Sequence, residues 1–305
     1  MKKKNKDRPL IVIGGPTATG KTDLALSAAK ILDCEIVNAD SMQVYKGMDI
    51  GTNKDKAKLE AAGVKTWLFD VVEPDYNFTV SEYQKLAYEA IESIQGRGKV
   101  PILVGGTGLY IDAVIKGYVV ETEPDWDRRK NLEKLSVEDL QKELEDLGFD
   151  LASLNNSDKN NPRRLIRLIE KQGKSGDPSL KEPDFDVLFL YPEFEIEELE
   201  EKIEKRVKKM IEQGLIKEVQ RLLAKGYGKE NKAMQAIGYK QVIEFLDSEM
   251  KNQEELIEKI SLAHRQYAKR QKTWFEGVAR GYDLVRVNKS TINLRLRENF
   301  GIMKV

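Results

Sequence analysis

Residues 15–22 read Gly-Pro-Thr-Ala-Thr-Gly-Lys-Thr and follow directly on the apolar run Leu10–Ile13, which places G-x-x-x-x-G-K-[ST] after an expected strand. Asp23 to Leu32 continues with helical spacing at Leu24, Ala28, Ile31 and Leu32. Glycines in such a loop let consecutive backbone N–H groups turn toward one anion at a helix N-terminus. Lys21 adds a mobile positive charge, and the Thr22 hydroxyl can ligate Mg²⁺. A chance glycine turn would not arrive with both a strand before it and a helix after it, so the motif predicts a phosphate grip.

The rest of the chain suits that grip. Apolar runs at Leu10–Ile13, Cys34–Val37, Thr66–Val71, Val100–Val104 and Val187–Leu190 alternate with helical patterns, and a short strand at Asp283–Val287 is expected to close the core. Continuously apolar strands separated by helices predict a parallel sheet covered on both faces. The fold class is therefore α/β, a P-loop NTPase-like parallel sheet wrapped by helices, with a mostly helical insertion. Between the fourth and fifth runs, Glu121 to Asp184 loses the alternation and contains the loop-like stretches Asn155–Pro162 and Gly173–Pro178. The expected organisation is a discontinuous core over 8–120 and 185–290, an insertion over 121–184 and a tail over 291–305. After Pro192 two long amphipathic helices are expected, Ile196–Leu223 and Glu254–Phe275.

Composition excludes several classes. One cysteine, Cys34, and one histidine, His264, leave neither a disulfide framework nor a Cys/His zinc cluster, and agree with a reducing, cytoplasmic setting. No run approaches the roughly 18 apolar residues of a membrane span, so no membrane partner is expected. With 51 basic and 51 acidic residues, any contact with nucleic acid must come from local clusters.

Strand Cys34–Val37 runs into Asn38-Ala39-Asp40-Ser41-Met42-Gln43, and ligands of open α/β sheets bind off the carboxyl ends of strands. Asp40 is thus a candidate general base, a Mg²⁺ ligand through water, or a cap for the next helix. Strand Val100–Val104 ends in Gly105-Gly-Thr-Gly108, where a P-loop ATPase would usually carry its Mg²⁺-holding aspartate. A site that only holds a departing diphosphate can use backbone-exposing glycines and the Thr107 hydroxyl instead; the alternative is a glycine turn needed for packing. Two basic clusters stand out. Lys159, Arg163, Arg164, Arg167 and Lys171 surround Asn161-Pro162, a plausible helix start, while Arg265, Lys269 and Lys272 share a helix face next to Arg270, Gln271 and Trp274-Phe275. Basic side chains interleaved with planar ones suit an RNA backbone with an unstacked base; singly, each cluster reads more readily as a solvated helix face, and it is their joint presence on a phosphate-loop protein that shifts the balance.

Taken jointly, several motifs resemble the bacterial tRNA dimethylallyltransferases, also called tRNA isopentenyltransferases. They are Gly15–Thr22, Asp40-Ser-Met-Gln-Val-Tyr-Lys-Gly-Met-Asp-Ile-Gly-Thr52, Phe78-Thr-Val-Ser-Glu-Tyr83, Gly105-Gly-Thr-Gly-Leu-Tyr110, Asn161-Pro-Arg-Arg-Leu-Ile-Arg167, Gln235-Ala-Ile-Gly-Tyr-Lys240 and Lys269-Arg-Gln-Lys-Thr-Trp-Phe275. The resemblance implies transfer of a dimethylallyl group from its diphosphate to the exocyclic N6 amine of adenosine 37, just 3′ of the anticodon of tRNA. It implies a diphosphate cradle of Gly15, Thr17, Ala18, Thr19, Gly20, Lys21 and Thr22, with Mg²⁺ on Thr22. It makes Asp40 the general base, with Lys21 and Thr107 also catalytic. It sets Asp40, Ser41, Met42, Gln43, Thr107, Arg129, Arg163, Arg164, Arg167, Gln235, Gly238, Tyr239, Lys240, Lys269, Arg270, Gln271, Thr273 and Trp274 against the RNA. The implied partners are the tRNA anticodon stem-loop and dimethylallyl diphosphate, and the chain is expected to act as a monomer. Departures are the region Lys65–Asp70, which lacks the family's paired histidines, and Gln235 and Glu276, which stand where relatives often have arginine.

The expected chemistry concentrates on the leaving group: Lys21, the loop N–H groups and Mg²⁺ stabilise the departing diphosphate while Asp40 takes the proton of a base flipped into a channel between core and insertion. The alternative in another class is a P-loop kinase for a small metabolite, against which the missing acid after Val104 counts.

Overall fold

The computed structural model describes residues 8–117, 125–171, 183–248, 252–277 and 281–300. Six strands, β1 (Pro9–Gly14), β2 (Cys34–Asn38), β3 (Thr66–Trp67), β4 (Val100–Gly105), β5 (Asp186–Pro192) and β6 (Leu284–Val287), form one sheet in the order β3-β2-β4-β1-β5-β6. Every pairing is parallel. Helices α1 (Lys21–Ala29), α2 (Lys56–Ala61), α3 (Val80–Gln95) and α4 (Gly108–Lys116) connect the first strands. The period of two along each strand sorts the core into two layers. Leu10, Val12, Val37, Leu103 and Phe189 share one cluster with residues of α3 and α4, whereas Ile11, Ile13, Ile36, Ile102 and Leu190 share the other with Leu24, Ala25 and Ala28 of α1.

The chain divides into two compact units, 1–115 with 183–305, and 116–182. The second contains α5 (Trp126–Leu132), α6 (Val137–Asp146), α7 (Asn156–Lys159) and α8 (Pro162–Glu170), with its own core of Leu132, Leu140, Leu144, Phe149, Leu151, Leu165, Ile166 and Ile169. The expected start of the insertion at 121 and the stretch Gly173–Pro178 lie outside the described residues. In the first unit, α9 (Ile196–Glu212), α10 (Leu215–Ala224), α11 (Tyr239–Asp247), α12 (Gln253–Glu276) and α13 (Ile292–Phe300) follow β5. Among the described residues no helix is long and apolar enough to cross a membrane.

Three readings of the sequence are corrected. The expected strand Thr66–Val71 ends at Trp67, because Leu68 and Asp70 take left-handed φ values of 63° and 54°; the chain then leaves the ladder and Val71 N–H donates to Val44 O at 2.7 Å. The expected helix Ile196–Leu223 is two helices, broken at Gly214 with φ 99°. Residues of the expected tail form α13, whose Ile292 and Leu296 are fully buried in the α1 layer. That helix is short and mostly charged outside, so its two inward apolar positions four apart carried little signal.

Candidate active site

The register of three central strands assembles the site. Gly14 pairs with Gly105 and Asn38 with Val104, so the carboxyl ends of β1, β4 and β2 lie side by side. The phosphate loop, Gly105–Thr107 and Ala39–Asp40 therefore emerge in one row, as the crossover rule for parallel sheets requires. Ala39 N–H donates to Val104 O at 2.8 Å and Thr107 N–H to Ala39 O at 3.1 Å, which stitches the Asp40 segment to the segment after β4. A Cβ on Gly105 would lie 2.1 Å from Ala39 O, one on Gly106 2.2 Å from Gln271 Nε2, and one on Gly108 2.2 Å from Trp274 Nε1. These glycines admit protein backbone and side chains, so the packing reading of Gly105–Gly108 holds.

A cavity of about 320 Å³ runs along this row, lined by Thr17, Ala18, Gly20, Lys21 and Thr22 on one side and by Asn38, Asp40 and Gln43 on the other. Arg206, Thr52, Asn53 and Asp55 complete its polar wall, and Ile36, Leu59, Phe69 and Val104 give it apolar surface. Helix α1 starts at Gly20 with φ 82° and has no side-chain cap, so the N–H groups of its first turn are available to an anion. Lys21 Nζ donates to Pro16 O at 2.7 Å. Burial lowers the Lys21 pKa to about 8 despite the opposing charge of Asp40, with Arg206 adding to the depression.

Asp40 is raised above the ordinary carboxylate value, burial outweighing the Met42 N–H bond and the charges of Lys21 and Arg206. Its backbone is held independently of its carboxylate. Asp40 N–H donates to Asn38 Oδ1 at 3.1 Å, and Asn38 Nδ2 donates to Asp40 O at 3.2 Å and to Leu68 O at 3.0 Å. Met42 N–H donates to Asp40 Oδ1 at 2.9 Å, and Ser41 N–H to Thr107 Oγ1 at 2.9 Å. A desolvated carboxylate faces a half-buried cation and a free helix N-terminus across one cavity, an arrangement able to bind a phosphate ester and accept a proton beside it.

Residues 43–278 match the family model described as IPP transferase. The chain belongs to the IPP transferase family. It is 41% identical over 286 residues to the tRNA dimethylallyltransferase of Pelotomaculum thermopropionicum, covering 90% of each protein. Its fold is similar to that of the tRNA isopentenylpyrophosphate transferase of Bacillus halodurans, with a TM-score of 0.71 at 35% identity over 96% of this chain and 97% of that one. A eukaryotic dimethylallyltransferase solved acting on tRNA gives a TM-score of 0.74 at 28% identity over 96% of this chain and 77% of that one. The family match begins after the phosphate loop and Asp40, so those residues stand on the geometry above.

Arg206, which lines the cavity, and Tyr267, a neighbour of Asp40, were missed in the sequence of this IPP transferase family member. Arg206 of α9 donates from its guanidinium to Thr17 Oγ1 at 2.5 Å, and burial lowers its pKa to about 10 against the pull of Asp55 and Asp40. Tyr267 of α12 lies near Asp40, Thr107 and Gln271; burial first and the Asp40 charge second raise its hydroxyl pKa. Neither stood in a motif. Arg206 was one of five basic residues on a charged helix, and only the phase of that helix against the sheet turns it inward.

Three residues expected against RNA are instead buried. Gln271, 5% exposed, accepts Thr17 N–H at 2.8 Å and donates to Gly106 O at 2.8 Å, so its amide braces the phosphate loop. Tyr239 is fully buried and donates to Glu218 Oε1 at 2.6 Å. Gly238 is buried at φ 94° with Gly51 Cα 3.9 Å from its Cβ position. Both belong to the support of the 48–53 loop, whose Asp49, Ile50 and Gly51 N–H groups all donate to Glu218, and to which Gln43 Nε2 reaches at Thr52 O, 3.0 Å away. Each motif residue is fixed for packing, and spacing alone cannot tell that from contact with a ligand.

The other positions remain at the surface. Gln235, Lys240, Lys269, Arg270 and Thr273 are exposed, and Ser41, Met42, Gln43, Thr107 and Trp274 half-buried. In the 116–182 unit Asn161 caps α8, accepting from Arg163 and Arg164 N–H, with Pro162 in the first turn. Arg163 and Arg164 are exposed, and Arg164 pairs with Asp158. Arg129 and Arg167 both pair with Glu170, at 3.2 and 3.3 Å, which fixes their guanidinium groups.

Proposed function

We propose that the chain transfers a dimethylallyl group from dimethylallyl diphosphate to the N6 amine of the adenosine just 3′ of the tRNA anticodon. The observation that carries this reading is the single cavity shared by a phosphate loop and the Asp40 carboxylate, with no acid at the end of β4, in a chain that resembles tRNA dimethylallyltransferases over nine tenths of its length.

The residues divide the reaction between them. The α1 N-terminus, Lys21 and Arg206 neutralise the charge that grows on diphosphate as the allylic C–O bond breaks, a contribution typically of ~3 kcal/mol per well-placed donor. Ile36, Leu59, Phe69 and Val104 offer apolar wall to a five-carbon unit. Asp40 accepts the N6 proton as the new C–N bond forms, and its desolvation strengthens it as a base. Thr107 and Asn38 keep the Asp40 segment in register. Thr22 would hold Mg²⁺; among the described residues no cluster of three carboxylates, histidines or cysteines could bind a metal, and one hydroxyl near one carboxylate suits an ion whose remaining ligands are phosphate oxygens and water. Bound there, the ion would add to the neutralisation of the diphosphate. The exposed Arg163, Arg164, Lys269 and Arg270 supply phosphate contacts to the stem-loop, in a protein acting as a cytoplasmic monomer.

Incubation with Mg²⁺, dimethylallyl diphosphate and an unmodified anticodon stem-loop, followed by digestion and mass spectrometry, tests the reading. One adenosine per stem-loop should gain a single C5H8 unit with release of one diphosphate. No gain with saturating donor refutes it, and ATP-dependent phosphorylation of a small acceptor would replace it by kinase chemistry.

A further inference from the structure

The cavity has a polar and an apolar part. The phosphate loop, Arg206 and Asp40 line the first, and Ala25, Ile36, Leu59, Phe69 and Val104 line the second. Ala25, Ile36 and Leu59 are 0%, 1% and 3% exposed, so behind the apolar part lies the α1 layer of the core. Among the described residues Phe69 supplies the one aromatic ring of the lining.

The backbone on either side fixes where that ring points. Leu68 and Asp70 both have left-handed φ, 63° and 54°. Such a backbone is costly for residues that carry a Cβ and persists only where the surroundings over-determine it. Here Leu68 O accepts Asn38 Nδ2 at 3.0 Å, and Asp70 N–H donates to Gln43 O at 3.3 Å. The Asp70 carboxylate pairs with Lys54 at 2.6 Å and with Lys56 at 3.0 Å, and the Lys54 side chain is buried. Adjacent side chains are thereby parted: Leu68 packs into the layer of α3 and α4, and Phe69 into that of α1 with Ile36, Leu59 and Val104.

An apolar wall has no task toward a diphosphate or a proton, but it has one toward a hydrocarbon chain. At about 320 Å³ the cavity is at the small end of ligand pockets, which span ~300–1,000 Å³. A ring pinned through its own backbone does not swing aside, and extra carbons forced against a packed surface are unfavourable. We propose that Phe69 is the residue that sets donor length: its ring, held by the Leu68–Asp70 backbone, stops the allylic chain after one isoprene unit. The inference rests on the cavity being the prenyl diphosphate site and deepens that reading by naming what excludes a ten-carbon donor.

Geranyl diphosphate is the probe. Its transfer breaks the allylic C–O bond, forms the N6–C bond, passes the N6 proton to Asp40 and releases diphosphate, so the adenosine gains C10H16. Wild type should favour the five-carbon donor by about 100-fold in kcat/KM. Phe69→Ala removes six carbons where one isoprene unit adds five, and should raise the ratio of geranyl to dimethylallyl transfer about tenfold or more. Phe69→Leu should raise it by an intermediate amount and carries the test if Phe69→Ala does not fold. Leu68→Ala disturbs the same left-handed segment on the other layer and should keep the wild-type ratio. Equal use of both donors by wild type, an unchanged ratio in the Phe69 variants, or the same gain in Leu68→Ala would overturn the proposal. If wild type transfers neither donor, the proposed function fails by itself, while calorimetric affinities of the two diphosphates for wild type and Phe69→Leu still decide the role of the ring.

Discussion

Replacing Asp40 by asparagine separates proton acceptance from everything else that residue does. The backbone of Asp40 is held by Asn38 at 3.1 and 3.2 Å, and the Met42 N–H that donates to Oδ1 at 2.9 Å finds an equivalent acceptor in the asparagine amide oxygen. The local geometry should persist, and only the capacity to take the N6 proton is lost, a loss of ~10²–10⁴-fold in the chemical step. Rapid-quench single-turnover assays with enzyme in excess over stem-loop would read it, while filter binding should give a stem-loop affinity within about threefold of wild type. Stability should move the other way. Since the Asp40 pKa is raised above 3.8 in the folded chain, that state binds the proton more tightly than the unfolded one. The resulting stabilisation is complete below the unfolded value and is lost as pH rises through the folded value. Asp40→Asn escapes that loss, so it should melt at or above the wild-type temperature near neutral pH, with the advantage gone at about pH 3. A single-turnover rate within tenfold of wild type would refute the assignment of Asp40 as the base.

Lys21, lowered by burial to about 8, should give kcat/KM for the prenyl donor a descending limb as pH rises through that value; Lys21→Arg should remove the limb from the pH profile, whatever its absolute rate, because guanidinium stays charged. Gly105→Ala must fit a Cβ 2.1 Å from Ala39 O, so urea titration should show a loss of about 3 kcal/mol or more, or no folded protein at all. Arg163 is exposed with no ion pair among the described residues, and Arg163→Ala should weaken stem-loop binding and reduce the slope of log K against log salt by about one, leaving the saturated rate unchanged.

The phosphate loop, the buried strands and the place of Asp40 were legible in the sequence because each is set by contiguous residues. Eight residues fix the loop, an apolar run fixes each long strand, and a strand end followed by a helix start fixes which edge of the sheet carries the site. Tertiary structure decided the rest. On α9, Lys205, Lys208 and Lys209 are exposed while Arg206 turns in to Thr17, and no local rule separates one cation from its neighbours on the same helix. Gln271, Tyr239 and the glycines at 105, 106 and 108 sit in motifs, yet what each touches comes from a segment far away in the chain: Thr17 for Gln271, Glu218 for Tyr239, Ala39 for Gly105. Backbone conformation follows from neighbours in sequence, whereas the direction of a side chain follows from which faces two elements bury against each other, and that is settled only when the whole sheet and its helices close around one core.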